Sequence, residues 1–147
     1  MMNVNLIVVG KLKESYFREA CAEYSKRLKA FCKLTVTELA ESRLPDDPSE
    51  KEIKAALSAE AKAMRNLLAG KDCFNIALCI EGTKLSSENL AEKIKDVSVS
   101  GKSTLNFVIG SSFGIDEEIK KMCGFRLSMS EMTFPHMLAR VMILEQI

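Results

Sequence analysis

An α/β domain built on a mainly parallel sheet, with helices on both faces, is the fold the sequence predicts. Five short apolar runs bounded by turn residues alternate with stretches of helical periodicity, and no segment repeats or falls to low complexity. Parallel strands need crossovers of helical length, and this strict alternation supplies them. With 147 residues, 47% of them apolar, the chain suffices for one core, so a single domain over 1–147 is expected.

Each element has its own signal. Val4 to Val9 reads as the first strand, ending at Gly10, after which Ser15 is expected to cap a helix carrying Phe17, Ala20, Cys21, Tyr24, Leu28 and Phe31 at helical spacing. Lys33 to Leu39 alternates as a second strand. The segment ESRLPDDPSE then forms a loop rather than a domain boundary, and Ser49 with Glu52 makes a capping box for a long helix through Ile53, Leu57, Ala61, Met64 and Leu68 to Gly70. Phe74 to Ile80 is a buried third strand. Ser86 or Ser87 opens a helix using Leu90, Ile94 and Val97, Thr104 to Ile109 is the fourth strand, and GSSFG leads into a short helix from Asp116 to Cys123. Phe125 to Met129 supplies the fifth strand. The last helix begins near Pro135, because proline suits a first helical position whose amide would otherwise lack a partner.

Composition narrows the function. Apolar runs of four to six residues are too short to cross a bilayer, and the first residues lack the charged start and apolar core of a signal peptide, so a soluble cytoplasmic protein is expected. Five cysteines without a Cys-x-x-Cys pair, mostly inside apolar stretches, read as reduced core residues, and a single histidine argues against a metal site. A net charge of +1 excludes coating of nucleic acid by bulk electrostatics. The charge is unevenly spread, however: residues 1–33 hold seven bases against three acids, while residues 38–60 hold three against seven. The basic end either meets phosphate or forms a solvated helix face.

In a parallel sheet, ligands gather where strands end and helices begin, since free amides point there. Three loops therefore carry interest: EGTKLSS after the third strand, GSSFG after the fourth and SEMTFPH after the fifth. Gly110 and Gly114 in VIGSSFG let a ligand approach the backbone, or simply form a tight turn; the spacing is neither a dinucleotide fingerprint nor a P-loop. His136, at a helix start, accepts a proton or a hydrogen bond from a ligand, or satisfies a backbone group. Arg140 lies one turn on among apolar neighbours, where it wants an anion or an internal salt bridge to a glutamate. The helix they share is apolar nearly all round, through Met137, Leu138, Val141, Met142, Ile143, Leu144 and Ile147, so a second subunit is expected to cover one face.

Three segments, NLIVVGKLKESYFREACAEYSKRL, LCIEGTKLSSENLA and LSMSEMTFPHMLARVMILEQI, resemble in this order the RlmH family of the SPOUT superfamily, ribosomal RNA large-subunit pseudouridine methyltransferases. The resemblance spans essentially the whole chain. It implies a C-terminal segment threaded into a trefoil knot, a homodimer built with the terminal helix, and S-adenosylmethionine bound by the three loops above. Leu78 and Gly110 would line the cofactor, and Met129, Ser130, Glu131, Met132, Thr133 and Phe134 would wrap it. It implies methylation at N3 of a pseudouridine in 23S RNA of the assembled ribosome, with no metal and no membrane, and with His136 and Arg140 orienting substrate or stabilising charge.

Two departures from the family pattern stand out. Ser111 and Phe113 occupy the fourth-strand loop where relatives carry glycine and a small polar residue; a positive φ at Ser111 would cost about 1 kcal/mol, and Phe113 would narrow the RNA entrance. The family also continues past LEQI, so the last helix is expected to be cut within its natural length. A catalytically silent ribosome- or RNA-binding homodimer is the alternative reading, and a nucleotide-binding domain using GSSFG as a phosphate turn is a third.

Overall fold

The computed structural model describes residues 2–147 and bears out the alternation. Its elements are β1 (Asn3–Val9), α1 (Ser15–Leu28), β2 (Lys33–Leu39), α2 (Glu50–Leu68), β3 (Cys73–Lys84), α3 (Ser87–Val99), β4 (Thr104–Ile109), α4 (Glu117–Met122), β5 (Phe125–Ser128) and α5 (His136–Gln146). All strands run parallel, in the spatial order β2-β1-β4-β3-β5.

Alternation along β1 sorts the core into two layers. Val4, Leu6 and Val8 face Cys21 and Leu28 of α1, Leu90 and Val97 of α3, and Ile143 and Leu144 of α5. On the opposite side Ile7 and Val9 meet Ala61, Met64 and Leu68 of α2 and Ile119 of α4. Both faces of β1 and β4 are thereby buried, which explains their continuous apolar runs.

Local chemistry accounts for most of the boundaries. The Ser49 hydroxyl accepts from the Glu52 amide and the Glu52 carboxylate accepts in turn from the Ser49 amide, so α2 starts at the expected capping box. Ser86 accepts from the Asn89 amide and fixes the start of α3. At α1 the expectation fails: Ser15 is already helical, Glu14 holds the cap position, and no side chain caps it. There the Arg18 guanidinium ties down the turn instead, donating to the carbonyls of Leu12 and Lys13. Phe31, expected on the apolar stripe, lies beyond the end of α1 and is 76% exposed.

The third strand is longer than its apolar run because it resumes pairing after a detour. β5 pairs with Ile76 to Leu78 of β3, loses register, and pairs again with Thr83 and Lys84. Gly82 permits the return, since a Cβ there would sit 2.7 Å from the Arg126 carbonyl oxygen. The unpaired stretch, Cys79 to Gly82, thus lies at the carboxyl edge of the sheet.

Three in-register asparagines cross the sheet centre. The Asn5 amide donates to Asn106 Oδ1 and that of Asn106 to Asn75 Oδ1, both at 2.9 Å. Asn75 and Asn106 also donate to the Leu68 and Leu67 carbonyls, which satisfies the frayed end of α2. The five cysteines are free, as expected of core residues, and Cys21, Cys32 and Cys79 are buried. No helix among the described residues is long and apolar enough to cross a membrane.

Candidate functional site

The exits of β3, β4 and β5 lie side by side and enclose a cleft of about 770 Å³, within the range of small-molecule sites. Leu78 to Glu81 form one wall, Ile109 to Ile115 a second, and Leu127 to Ser130 with Met132 to His136 a third. Of the residues singled out in the sequence, Leu78, Gly110, Met129, Ser130, Met132, Thr133, Phe134 and His136 all line it. Glu131 does not: its carboxylate, 83% exposed, turns outward to Lys84 Nζ at 2.7 Å.

The turn after β4 is shaped by close backbone packing. A Cβ on Gly110 would collide with the Gly114 carbonyl, so the chain folds back on itself only because position 110 has none. Ser111 pairs with Gly114 across this turn and accepts the Phe113 amide at its hydroxyl. No non-glycine among the described residues has positive φ, so Ser111 carries none of the strain feared for it. Phe113 stands at the rim, 44% exposed.

The loop after β5 is held by short polar bonds rather than by regular structure. Ser128 donates to the Ser130 carbonyl, and the Met132 amide donates to the Ser130 hydroxyl. Met129, Ser130, Met132, Thr133 and Phe134 of this loop line the cleft. Pro135 then starts α5, and the first residue of that helix, His136, reaches the cleft wall. Its Nε2 is buried and lacks a hydrogen-bond partner.

Arg140 is positioned differently. Its side chain is 3% exposed and donates to Glu38 Oε2 at 2.8 Å and to the Gly10 carbonyl at 3.0 Å, leaving only Nε unpartnered. It therefore pins α5 to the carboxyl ends of β1 and β2, and it is not among the residues lining the cleft. This is the internal salt bridge to a glutamate that the sequence left open.

Sequence reasoning passed over two charged residues on the cleft wall, Glu81 and Lys120. Their side chains meet at 2.6 Å, and Lys120 also lies 3.3 Å from Glu117. Glu81 was readable only as part of the third-strand loop, and Lys120 looked like an ordinary basic last turn of a short helix. Neither signal pointed at the other, 39 residues away. Among the described residues no group of three or more histidine, cysteine or acidic side chains is placed to hold a metal.

Comparison with known proteins agrees with this architecture. A family model described as "Predicted SPOUT methyltransferase" matches residues 2–147. The chain is 48% identical to the ribosomal RNA large subunit methyltransferase H of Bifidobacterium adolescentis, 44% to that of Acetivibrio thermocellus and 45% to that of Clostridium novyi, in each case over 99% of this chain and 91% of the relative. An all-parallel five-stranded sheet whose late exits enclose one cleft, and a match that runs from residue 2 to residue 147, place this chain in the RlmH family of SPOUT methyltransferases.

Proposed function

We propose that this protein transfers a methyl group from S-adenosylmethionine to N3 of a pseudouridine in large-subunit ribosomal RNA within the assembled ribosome. Family membership supports methyl transfer, and the names of the relatives support the RNA substrate. The observation that carries the cofactor is one cleft lined together by Leu78, Gly110 and, from the loop after β5, Met129, Ser130, Met132, Thr133 and Phe134.

The residues present fit that ligand. Leu78, Ile109 and Leu127 offer an apolar surface for a purine, and the tight turns at Gly110 and Ser130 bring backbone groups within reach of its edges. When bound, the cofactor supplies an electrophilic methyl on a sulfonium. The protein's task is then alignment and removal of one weakly acidic imide proton. His136 Nε2, buried, unpartnered and on the cleft wall, meets the reacting edge of the base. Arg140 acts through position: by holding Gly10 and Glu38 it fixes the start of α5 and hence His136.

A homodimer belongs to the same reading. Met137, Leu138, Val141 and Met142 of α5 are only half-buried in a single chain, and a partner helix would cover them. So does the knotted path of the C-terminal segment, supported by the family. A cytoplasmic location follows from a ribosomal substrate.

Incubating the protein with ribosomes and the cofactor, then scoring 23S RNA by mass spectrometry, tests the proposal. One added methyl on one pseudouridine is the expected result. Unmodified RNA, with cofactor bound to the protein, overturns the reaction and leaves a silent ribosome-binding protein.

A further inference from the structure

Resting on that reading of the cleft, we propose that the Glu81–Lys120 pair is the subsite for the amino-acid end of the cofactor, with Lys120 donating to its carboxylate and Glu81 accepting from its ammonium.

Three observations carry this. Apart from His136, Glu81 and Lys120 are the only lining residues of the cleft that can bear charge through an acid or a base; the remainder is apolar, hydroxyl or thiol side chains and backbone. The two come from different elements, the exit of β3 and the helix α4, and both line the cleft, so the pair bridges two of its sides. Lys120 is also largely enclosed, with 12% of its side chain exposed, whereas Glu81 is 52% exposed and free to swing.

Charge arithmetic selects the occupant. A neutral purine or ribose inserted between the two would break the shorter of Lys120's two ion pairs and return nothing. A zwitterion returns charge for charge: one ion pair becomes two, arranged head to tail. The methyl donor has one such group, its α-amino acid. Glu117, 3.3 Å from Lys120, keeps the lysine compensated while Glu81 moves aside. Both partners hold their charge at neutral pH. The hydrogen bond from Lys120 holds the Glu81 carboxyl below the usual carboxylate range. Desolvation pulls Lys120 down, but Glu81 and Glu117 together more than offset it.

Two ligands separate this subsite from the cleft as a whole: S-adenosylhomocysteine carries the amino-acid end, and 5′-methylthioadenosine lacks it. Titration calorimetry on the full chain should show Lys120→Met weakening S-adenosylhomocysteine by about tenfold or more, as expected for a lost charge-assisted bond. Methylthioadenosine affinity should stay within about twofold of wild type. Glu81→Gln should give the same selective loss, and Lys120→Arg should retain most of the affinity. Equal losses for both ligands would show that the pair merely props the cleft open, and no loss for either would show that it faces nothing; each result overturns the proposal. Wild-type protein that binds neither ligand would defeat the cofactor reading itself, a failure distinct from that of the subsite.

Discussion

Two groups of buried polar side chains lie in this small domain, and they are finished to different degrees. In the asparagine ladder of Asn5, Asn106 and Asn75, each amide donates to the next residue or to a carbonyl of α2, and nothing is left over. At the junction of α5 with β1 and β2, Arg140 is paired twice, yet its Nε has no partner, and neither has the Nε2 of His136 one turn earlier on α5 or the Oε2 of Glu14 at the start of α1. These three are the described side-chain atoms that are buried and unmatched. A saturated network confers rigidity, whereas an unsaturated one costs stability and persists where something else completes it.

The largest test of that contrast is Arg140→Met. It strips Glu38 and the Gly10 carbonyl of their donor at once, and stability should fall by about 3 kcal/mol, since two charge-assisted hydrogen bonds of a buried guanidinium are lost together. Urea unfolding measures it; a loss under about 1 kcal/mol would mean that the bridge is dispensable. His136→Gln follows, at about a hundredfold in kcat for ribosome methylation, with the unfolding midpoint essentially unmoved, because the lost atom had no partner to lose. If the midpoint fell with activity intact, His136 would belong with the structural group instead. Asn106→Ala reverses that signature. It should cost about 2 kcal/mol while leaving cofactor affinity near wild type, since Asn106 is fully buried and away from the cleft.

The smallest effect is a pH dependence. Glu60, 5% exposed on α2, has its carboxyl pushed up by burial, an effect that the Ser42 amide opposes and the nearby Glu41 reinforces. A folded value above the unfolded one means that its favourable contribution is present below the unfolded value, about 4.3, and is lost as pH rises through the folded value. Glu60→Gln keeps the acceptor for Ser42 and removes the charge. It should therefore raise the thermal midpoint at pH 7 and make no difference near pH 3.5; equal effects at both would remove titration as the cause.

How much of this was legible beforehand varies with how local the signal is. The β-α alternation, the Ser49–Glu52 box and the bounds of β2 and β4 could be read because each rests on residues a few positions apart. Two of the three expected loops, GSSFG and SEMTFPH, were readable too, since a parallel sheet places its ligand edge by topology alone, but of EGTKLSS only Glu81 lines the cleft. The asparagine ladder was not: a single asparagine in a strand looks like a weak strand former, and only the register of β1, β4 and β3 aligns three of them. Arg140 announced its need for an anion, but Glu38, 102 residues away, could not be told from other acids. The return of β3 through Thr83 was hidden because EGTK reads as a turn, and the close approach that makes Gly82 necessary involves β5, a strand much further along the chain. Glu81 and Lys120 were missed for the same reason.

The bond from Arg140 to the Gly10 carbonyl joins positions 130 residues apart. At synthesis rates of about 5–20 residues per second, Gly10 leaves the ribosome on the order of ten seconds before its donor exists. The third wall of the cleft, residues 127–136, is made just as late. A nascent chain therefore has no complete cleft until the segment through His136 has been translated, so the site is assembled after the sheet strands that floor it.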